Sequence, residues 1–239
     1  MQRKFNAYLI NSSFPYTLSL SKLKDIRAYL DGIYTSVVLK DVVKRKKIAD
    51  VSALESVIRF MFDNIGNQCS VKKIADTLAS GGRKISVHTI DNYLSALSDS
   101  FILYKVGRFD IKGRQYLKTG EKYYIADIGL RYYLLGSQKA DKGRSLENVV
   151  YLELLRRGYE VRIGKVGNTE VDFIATNESG VEYYQIALTV RDETALAREL
   201  KSLNSIPDHN QKYLLTLDED HAVSHNGIKQ INALDWLLT

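Results

Sequence analysis

Between Leu146 and Thr216 the chain alternates a helix-period segment with strand-period ones, and this order narrows the fold more than any other feature. Leu146–Arg157 spaces its apolar residues three and four apart and stops at Gly158, where glycine accepts the left-handed conformation that ends many helices. Tyr159–Val166 and Glu170–Thr176 are β-rich and joined through Gly167-Asn168. Asn177-Glu178-Ser179-Gly180 is a turn, and Val181–Val190 is a long β-rich run. Asp192 is placed to cap a helix over Glu193–Asn204, Lys212–Thr216 is a further strand, and Leu234–Leu238 is a short apolar piece. Helix–strand–strand–strand–helix–strand predicts a mixed α/β core.

The preceding residues follow a different rhythm. Residues 5–48 are helical by period, with Leu23, Ile26, Leu30, Ile33, Val37 and Val38 three and four apart, and Lys40–Lys47 adds a cationic face of the kind that is usually only solvated. Ser52 is placed to cap Ala53–Ile65, Ser70 to cap Val71–Ser80, and Ser86 to cap a third helix with Ile90, Tyr93, Leu94 and Leu97 inward. A Gly81-Gly82-Arg83-Lys84 turn separates the second helix from the third. β-rich Phe101–Val106 and Gln115–Leu117 then flank a Lys112-Gly113-Arg114 turn. Three capped helices and a hairpin predict a winged helix. Lys122–Ala126 reads as a strand and Gly129–Leu135 as a short helix. The polar stretch Ser137–Gly143 marks the expected boundary, giving a helical segment 1–50, a winged helix 51–136 and an α/β domain 137–239.

Charge divides along the same line. Residues 1–140 hold 23 Lys+Arg against 12 Asp+Glu, net +11, and residues 141–239 hold 11 against 16, net −5, which add to the chain's +6. A basic first part points to a polyanion such as nucleic acid as partner. The lone cysteine, Cys69, has no partner for an internal disulfide, which predicts a reducing, cytoplasmic setting. No apolar run reaches the roughly 20 residues of a membrane helix, and residues 1–20 lack the apolar core of a signal peptide, so no membrane partner is expected. His221 and His225 lie four apart beside Asp218–Asp220, but neighbouring Gly and Asn predict a loop rather than a zinc site.

Metal-dependent phosphodiester hydrolysis needs acids converging on Mg²⁺ and benefits from a cation beside the attacking water. A helix acid, an acid ending one strand, and an acid–x–lysine on the next strand supply these compactly, because alternation sends the last two to one face. Here the helix offers Glu147, the strand Glu170-Val171-Asp172-Phe173-Ile174 offers Asp172, and the next reads Tyr184-Gln185-Ile186-Ala187. Over about fifty residues this resembles the PD-(D/E)XK superfamily, the restriction-endonuclease-like fold. The resemblance implies a site at Glu147, Asp172 and Gln185, with Asp172 and Gln185 as metal ligands and Mg²⁺ as cofactor only if the site is active. Gln185 stands where that family has an acid and Ala187 where it has a lysine. Each missing charge commonly costs on the order of 10²–10³ in rate, so the chain is not expected to cut DNA unaided. Arg191 or Arg198 on the following helix is the alternative source of a cation.

A wider likeness spans nearly the whole chain. Phe5-x-x-Tyr8-Leu9 with Phe14-Pro15, Tyr34–Asp41, Lys122-Tyr123-Tyr124 with Asp127-x-Gly129-Leu130-Arg131, Leu146-Glu147-Asn148, Arg156–Val161, Glu170–Phe173, Arg198-Glu199, Lys212-Tyr213 and Asp235-Trp236-Leu237 resemble the lid, winged helix and C-terminal domain of a prokaryotic AAA-type ATPase-like family. That family's phosphate-binding G-x-x-x-x-G-K-[ST] is missing from this sequence, so no ATP is expected on it. An ATPase domain or protein partner is what the resemblance implies.

For DNA, the third helix presents Lys84, His88, Asn92 and Ser95 off its apolar face. The hairpin adds Arg108, Lys112, Arg114 and Lys118 with Phe109 and Tyr116 between them. Cations meet phosphates, while Asn92 and His88 can reach base edges. The sequence thus predicts a DNA-associated binding module with a degenerate nuclease-like domain. An active Mg²⁺-dependent endonuclease and a protein-interaction adaptor are the alternatives.

Overall fold

A computed structural model describes residues 1–136 and 141–239, and two compact units emerge. The first is Met1–Lys105 with Tyr123–Ala140, and the second is Val106–Lys122 with Asp141–Thr239. Neither is one continuous stretch. The boundary expected at 137 falls on residues 137–140, outside those described.

The first unit is helical. Helix α1 (Gln2–Asn11) leads through a short 3₁₀ turn, Pro15–Ser19, to α2 (Leu23–Ile33), a wide π turn at Tyr34–Asp41, and α3 (Val42–Lys46). α4 (Val51–Asp63), α5 (Val71–Ser80) and α6 (Val87–Asp99) follow. Ser70 and Ser86 cap α5 and α6 as the sequence predicts, accepting from the amides of Lys73 and Thr89. The α4 cap differs. Asp50 accepts from the Ala53 amide at 2.8 Å, while the Ser52 hydroxyl receives Arg83. A carboxylate at the helix N-terminus outcompetes the hydroxyl through its charge. Leu54, Val57, Ile58, Met61 and Phe62 of α4 and Ile74, Ile90, Leu94 and Leu97 of the next two helices form the buried centre. Helix α7 (Ile128–Leu135) completes the unit, capped by Asp127.

β1 (Leu103–Asp110) and β2 (Gln115–Ile125) adjoin, and β2 absorbs both strand pieces expected around Gln115 and Lys122. β1 continues into a mixed sheet by pairing parallel to β3 (Glu160–Val166), with Arg108 opposite Ile163 and Asp110 opposite Lys165. The hairpin arm with Arg108, Lys112, Arg114 and Lys118, expected within 51–136, therefore belongs to the second unit. β4 (Thr169–Asn177) and β5 (Gly180–Ile186) run antiparallel in sequence. β6 (Gln211–Thr216) joins β5 in parallel, and β8 (Ile228–Asn232) joins β6 in parallel. β7 (Val223–His225) closes the edge, giving the order β2-β1-β3-β4-β5-β6-β8-β7. β7 and β8 stand where the sequence suggested a loop. The coil signals there, Asn226 and Gly227, are the tight turn of a hairpin, both at positive φ.

Two faces of this sheet are covered. α8 (Lys142–Arg156) and α10 (Ala233–Trp236) take one, where Phe173 meets Tyr151 and Tyr184 meets Trp236. α9 (Glu193–Asn204), capped by Asp192 as expected, takes the other, where Leu203 and the nearby Ile206 pack on Val171, Ile174, Tyr183 and Leu214. Gly164 is required on that face, because a β-carbon there would lie 2.9 Å from Val171 Cβ. Among the described residues, no helix is long and apolar enough to cross a membrane.

Candidate functional site

β4 carries an irregularity that decides where its acids go. Arg162 pairs with Ile174 and Gly164 with Val171, so Ile163 alone stands opposite both Asp172 and Phe173. This is a β-bulge, and such an extra residue re-aims the side chains around it. Val171 and Ile174 consequently share the α9 face. Phe173 turns to α8. Asp172 is directed into the field of Glu147 and Lys122.

Lys122, near the end of β2, reaches these acids. Its ammonium lies 3.1 Å from Glu147 Oε1 and 2.7 Å from Glu170 Oε1, and its side chain is only 6% exposed. Burial alone would depress its pKa, but the carboxylates of Glu147, Asp172 and Glu170 override that and hold it above the ordinary lysine value. Asp172 is buried, and that burial, reinforced by Glu147, raises its pKa well above the ordinary carboxylate range. Lys122 and the Ile186 amide, which donates to Oδ2 at 2.8 Å, pull the other way without cancelling it.

Gln185 does not join them. With Tyr183, two residues earlier, it faces α9, where its Nε2 donates to Glu199 at 2.9 Å and its Oε1 accepts from Ser202 at 3.1 Å. It touches Asp172 only through a long contact to the backbone amide, 3.4 Å. Ala187 packs beside the same apolar cluster. Simple alternation placed Asp172, Gln185 and Ala187 on one face. The bulge separates them, so Glu147, Asp172 and Gln185 do not form one ligand set. Among the described residues, no group of three His, Cys, Asp or Glu is arranged to hold a metal ion.

The cations considered as replacements are elsewhere. Arg191 faces Asp218 and Asp220, and Arg198 is bonded to Glu199, both largely exposed. The cation that does reach the cluster is Lys122, which sequence reasoning missed. It lies some 25 residues before Glu147, and only strand pairing could reveal it.

In the first unit, Lys84, His88 and Asn92 are exposed, and Asn92 Nδ2 lies 3.3 Å from His88 Nε2. The outward face of α6 borders a groove of about 410 Å³ whose other wall is the end of the cationic run: Lys46, Lys47, Ile48 and Ala49 face Thr89, Asn92 and Ser95. Lys46 is paired with Asp99. The sequence treated this run as a plain solvated face, and its meeting with α6 is a finding of the fold. In the second unit, Lys112, Arg114 and Lys118 are exposed and Arg108 is half-buried. Tyr116 there meets Phe109 edge-on and lies under the Arg162 guanidinium. Cys69 is buried and takes part in no disulfide among the described residues, and His225 bonds Gln230 at 2.9 Å.

An uncharacterized protein of Haemophilus influenzae is 41% identical over 209 residues, covering 87% of this chain and 52% of its own length. The uncharacterized protein MJ1544 of Methanocaldococcus jannaschii is 34% identical over 185 residues, covering 76% of this chain and 40% of its own. The chain thus spans about half or less of the length of these relatives. No solved structure matches it. Residues 2–141, a stretch that takes in all of α1 to α7 and Lys122, match the family described as a domain of unknown function (DUF8612), and the chain belongs to that family.

Proposed function

We propose that this chain is a DNA-associated binding module whose second unit is a restriction-endonuclease-like domain that does not cut. The groove between Lys46-Lys47 and the exposed face of α6 carries the binding half of this reading. A helix presenting Asn92 and His88 beside paired lysines offers base-edge donors next to phosphate contacts, the division of labour that DNA recognition uses. α4, α5 and α6 followed by the β1–β2 hairpin keep the element order of a winged helix, with α6 as the reading helix. The non-cutting half rests on Gln185, committed to α9, and on Lys122, seated among the acids. By the AAA-type resemblance, the module works beside an ATPase domain.

Fluorescence anisotropy with duplex DNA across a salt series tests binding. Reversal of Lys47 to Glu is expected to weaken affinity severalfold and to reduce the salt slope by roughly one counterion. Asn92→Ala is expected to weaken preferred sequences more than others. Salt-independent or undetectable binding would turn the reading toward a protein-interaction adaptor.

One observation favours a second reading. Glu147, Asp172 and a cation do converge, which is the minimum a metal-dependent endonuclease needs. Plasmid cleavage in Mg²⁺ or Mn²⁺ that Asp172→Ala abolishes would establish that reading instead.

A further inference from the structure

A restriction-endonuclease-like domain implies Mg²⁺ beside Glu147 and Asp172, and the residues present do not fit it. Mg²⁺ demands oxygen ligands at about 2.0–2.1 Å in near-octahedral array. Here the carboxylates of Glu147 and Glu170 instead stand 3.1 and 2.7 Å from a nitrogen, hydrogen-bond spacing around an ammonium. That ammonium is no surface visitor: its side chain is 6% exposed, on a strand fixed in the sheet. The neutral amide able to help a metal, Gln185, spends both its polar atoms on Glu199, Ser202 and backbone.

We propose that the Lys122 ammonium is the resident cation of this cluster, tethered by the chain where a cutting nuclease keeps its divalent ion, and that it bars such ions from binding. A cation enclosed by Glu147 and Glu170 with Asp172 close by satisfies the acids' need for positive charge. A divalent ion entering beside it would meet like-charge repulsion at low local dielectric. The inference deepens the non-cutting reading of the second unit but does not depend on DNA binding. Its test contains no DNA, so the two can fail separately.

Mn²⁺ alone is the probe, read by calorimetric titration and by the thermal unfolding midpoint. The wild-type chain is expected to show no saturable Mn²⁺ site and no midpoint shift. Lys122→Ala, relieved of the ammonium, is expected to acquire a saturable Mn²⁺ site where wild type shows none, and to gain midpoint as Mn²⁺ rises. Lys122→Ala/Asp172→Asn should lose that gain. Saturable wild-type binding that Asp172→Asn removes would overturn the proposal, and so would a folded Lys122→Ala chain indifferent to Mn²⁺. Should Lys122→Ala not fold, the lysine ammonium resonance of the wild-type chain, assigned with Lys122→Arg, decides. Survival in millimolar Mn²⁺ supports the proposal, and selective paramagnetic loss overturns it.

Discussion

The hydroxyl of Ser12 donates to the carboxylate of Asp127 at 2.9 Å, joining the end of α1 to the start of α7 across 115 positions of sequence. Ser13 adds two more bonds to the same oxygen, from its amide at 2.7 Å and its hydroxyl at 2.6 Å. The other oxygen caps α7 through the Leu130 amide at 2.8 Å. Asp127→Ala removes a buried acceptor that serves four donors. A helix cap contributes about 1 kcal/mol and a bond to a charged group about 1.5–3 kcal/mol, so a loss of roughly 3–4 kcal/mol is expected in urea denaturation. Gly129→Ala should do comparable damage, because its new β-carbon would lie 2.4 Å from the backbone of Ser12.

Breaking a buried ion pair from one side leaves the other uncompensated. Lys122→Met is expected to destabilise the chain by roughly 3–5 kcal/mol, and adding Asp172→Asn should restore part of that loss. Denaturant midpoints of the single and double variants give the coupling directly. A Lys122→Met chain as stable as wild type would show that the ammonium is not needed by its acids.

The raised pKa of Asp172 makes stability depend on pH in a stated direction. Its folded value lies above the unfolded one, so this group's contribution is complete below the ordinary carboxylate range and is lost as pH rises through the folded value. Asp172→Asn, which keeps an acceptor for the Ile186 amide, should flatten that decline and leave the chain at least as stable as wild type at neutral pH. Unfolding midpoints across a pH series compare the two. A parallel decline in both chains would count against a buried, strained carboxyl.

Returning the family's acid at Gln185 should not return cleavage. Gln185→Glu would set a carboxylate against Glu199, whose Oε2 now accepts from the amide at 2.9 Å, and would cost about 1–3 kcal/mol through a lost donor and like charge. Plasmid cleavage in Mg²⁺ is expected to remain absent. Its appearance would mean that the strand can turn the new acid toward Asp172.

What was legible in the sequence follows from how local each signal is. Ser70, Ser86 and Asp192 announce their helices because a cap acts within three residues, and Gly158 ends α8 at φ 81° as glycine should. The mixed α/β core follows from the same local periods. The site was read only in part. Glu147 and Asp172 come within electrostatic reach of each other, but the bulge at Asp172 breaks the two-residue alternation on which Gln185 was placed, and no residue type at that point signals a bulge. Lys122 was invisible for the opposite reason. Its chemistry is ordinary for a strand end, and its meaning arises only once β1 pairs with β3 and brings Lys122 into the sheet of the second unit. β7 and β8 were hidden because Asn226-Gly227 suits a turn and a loop equally well.

The chain passes between its two units three times, lending Val106–Lys122 to the second before returning to the first. A cut after residue 136 would deprive the later fragment of β1 and β2, and with them of the amine seated among its acids. Such a fragment would keep Glu147 and Glu170 without their ammonium and β3 without its parallel neighbour. The α/β half is thus no self-contained cassette: its sheet takes in Val106–Lys122, a stretch the chain lays down inside the helical half.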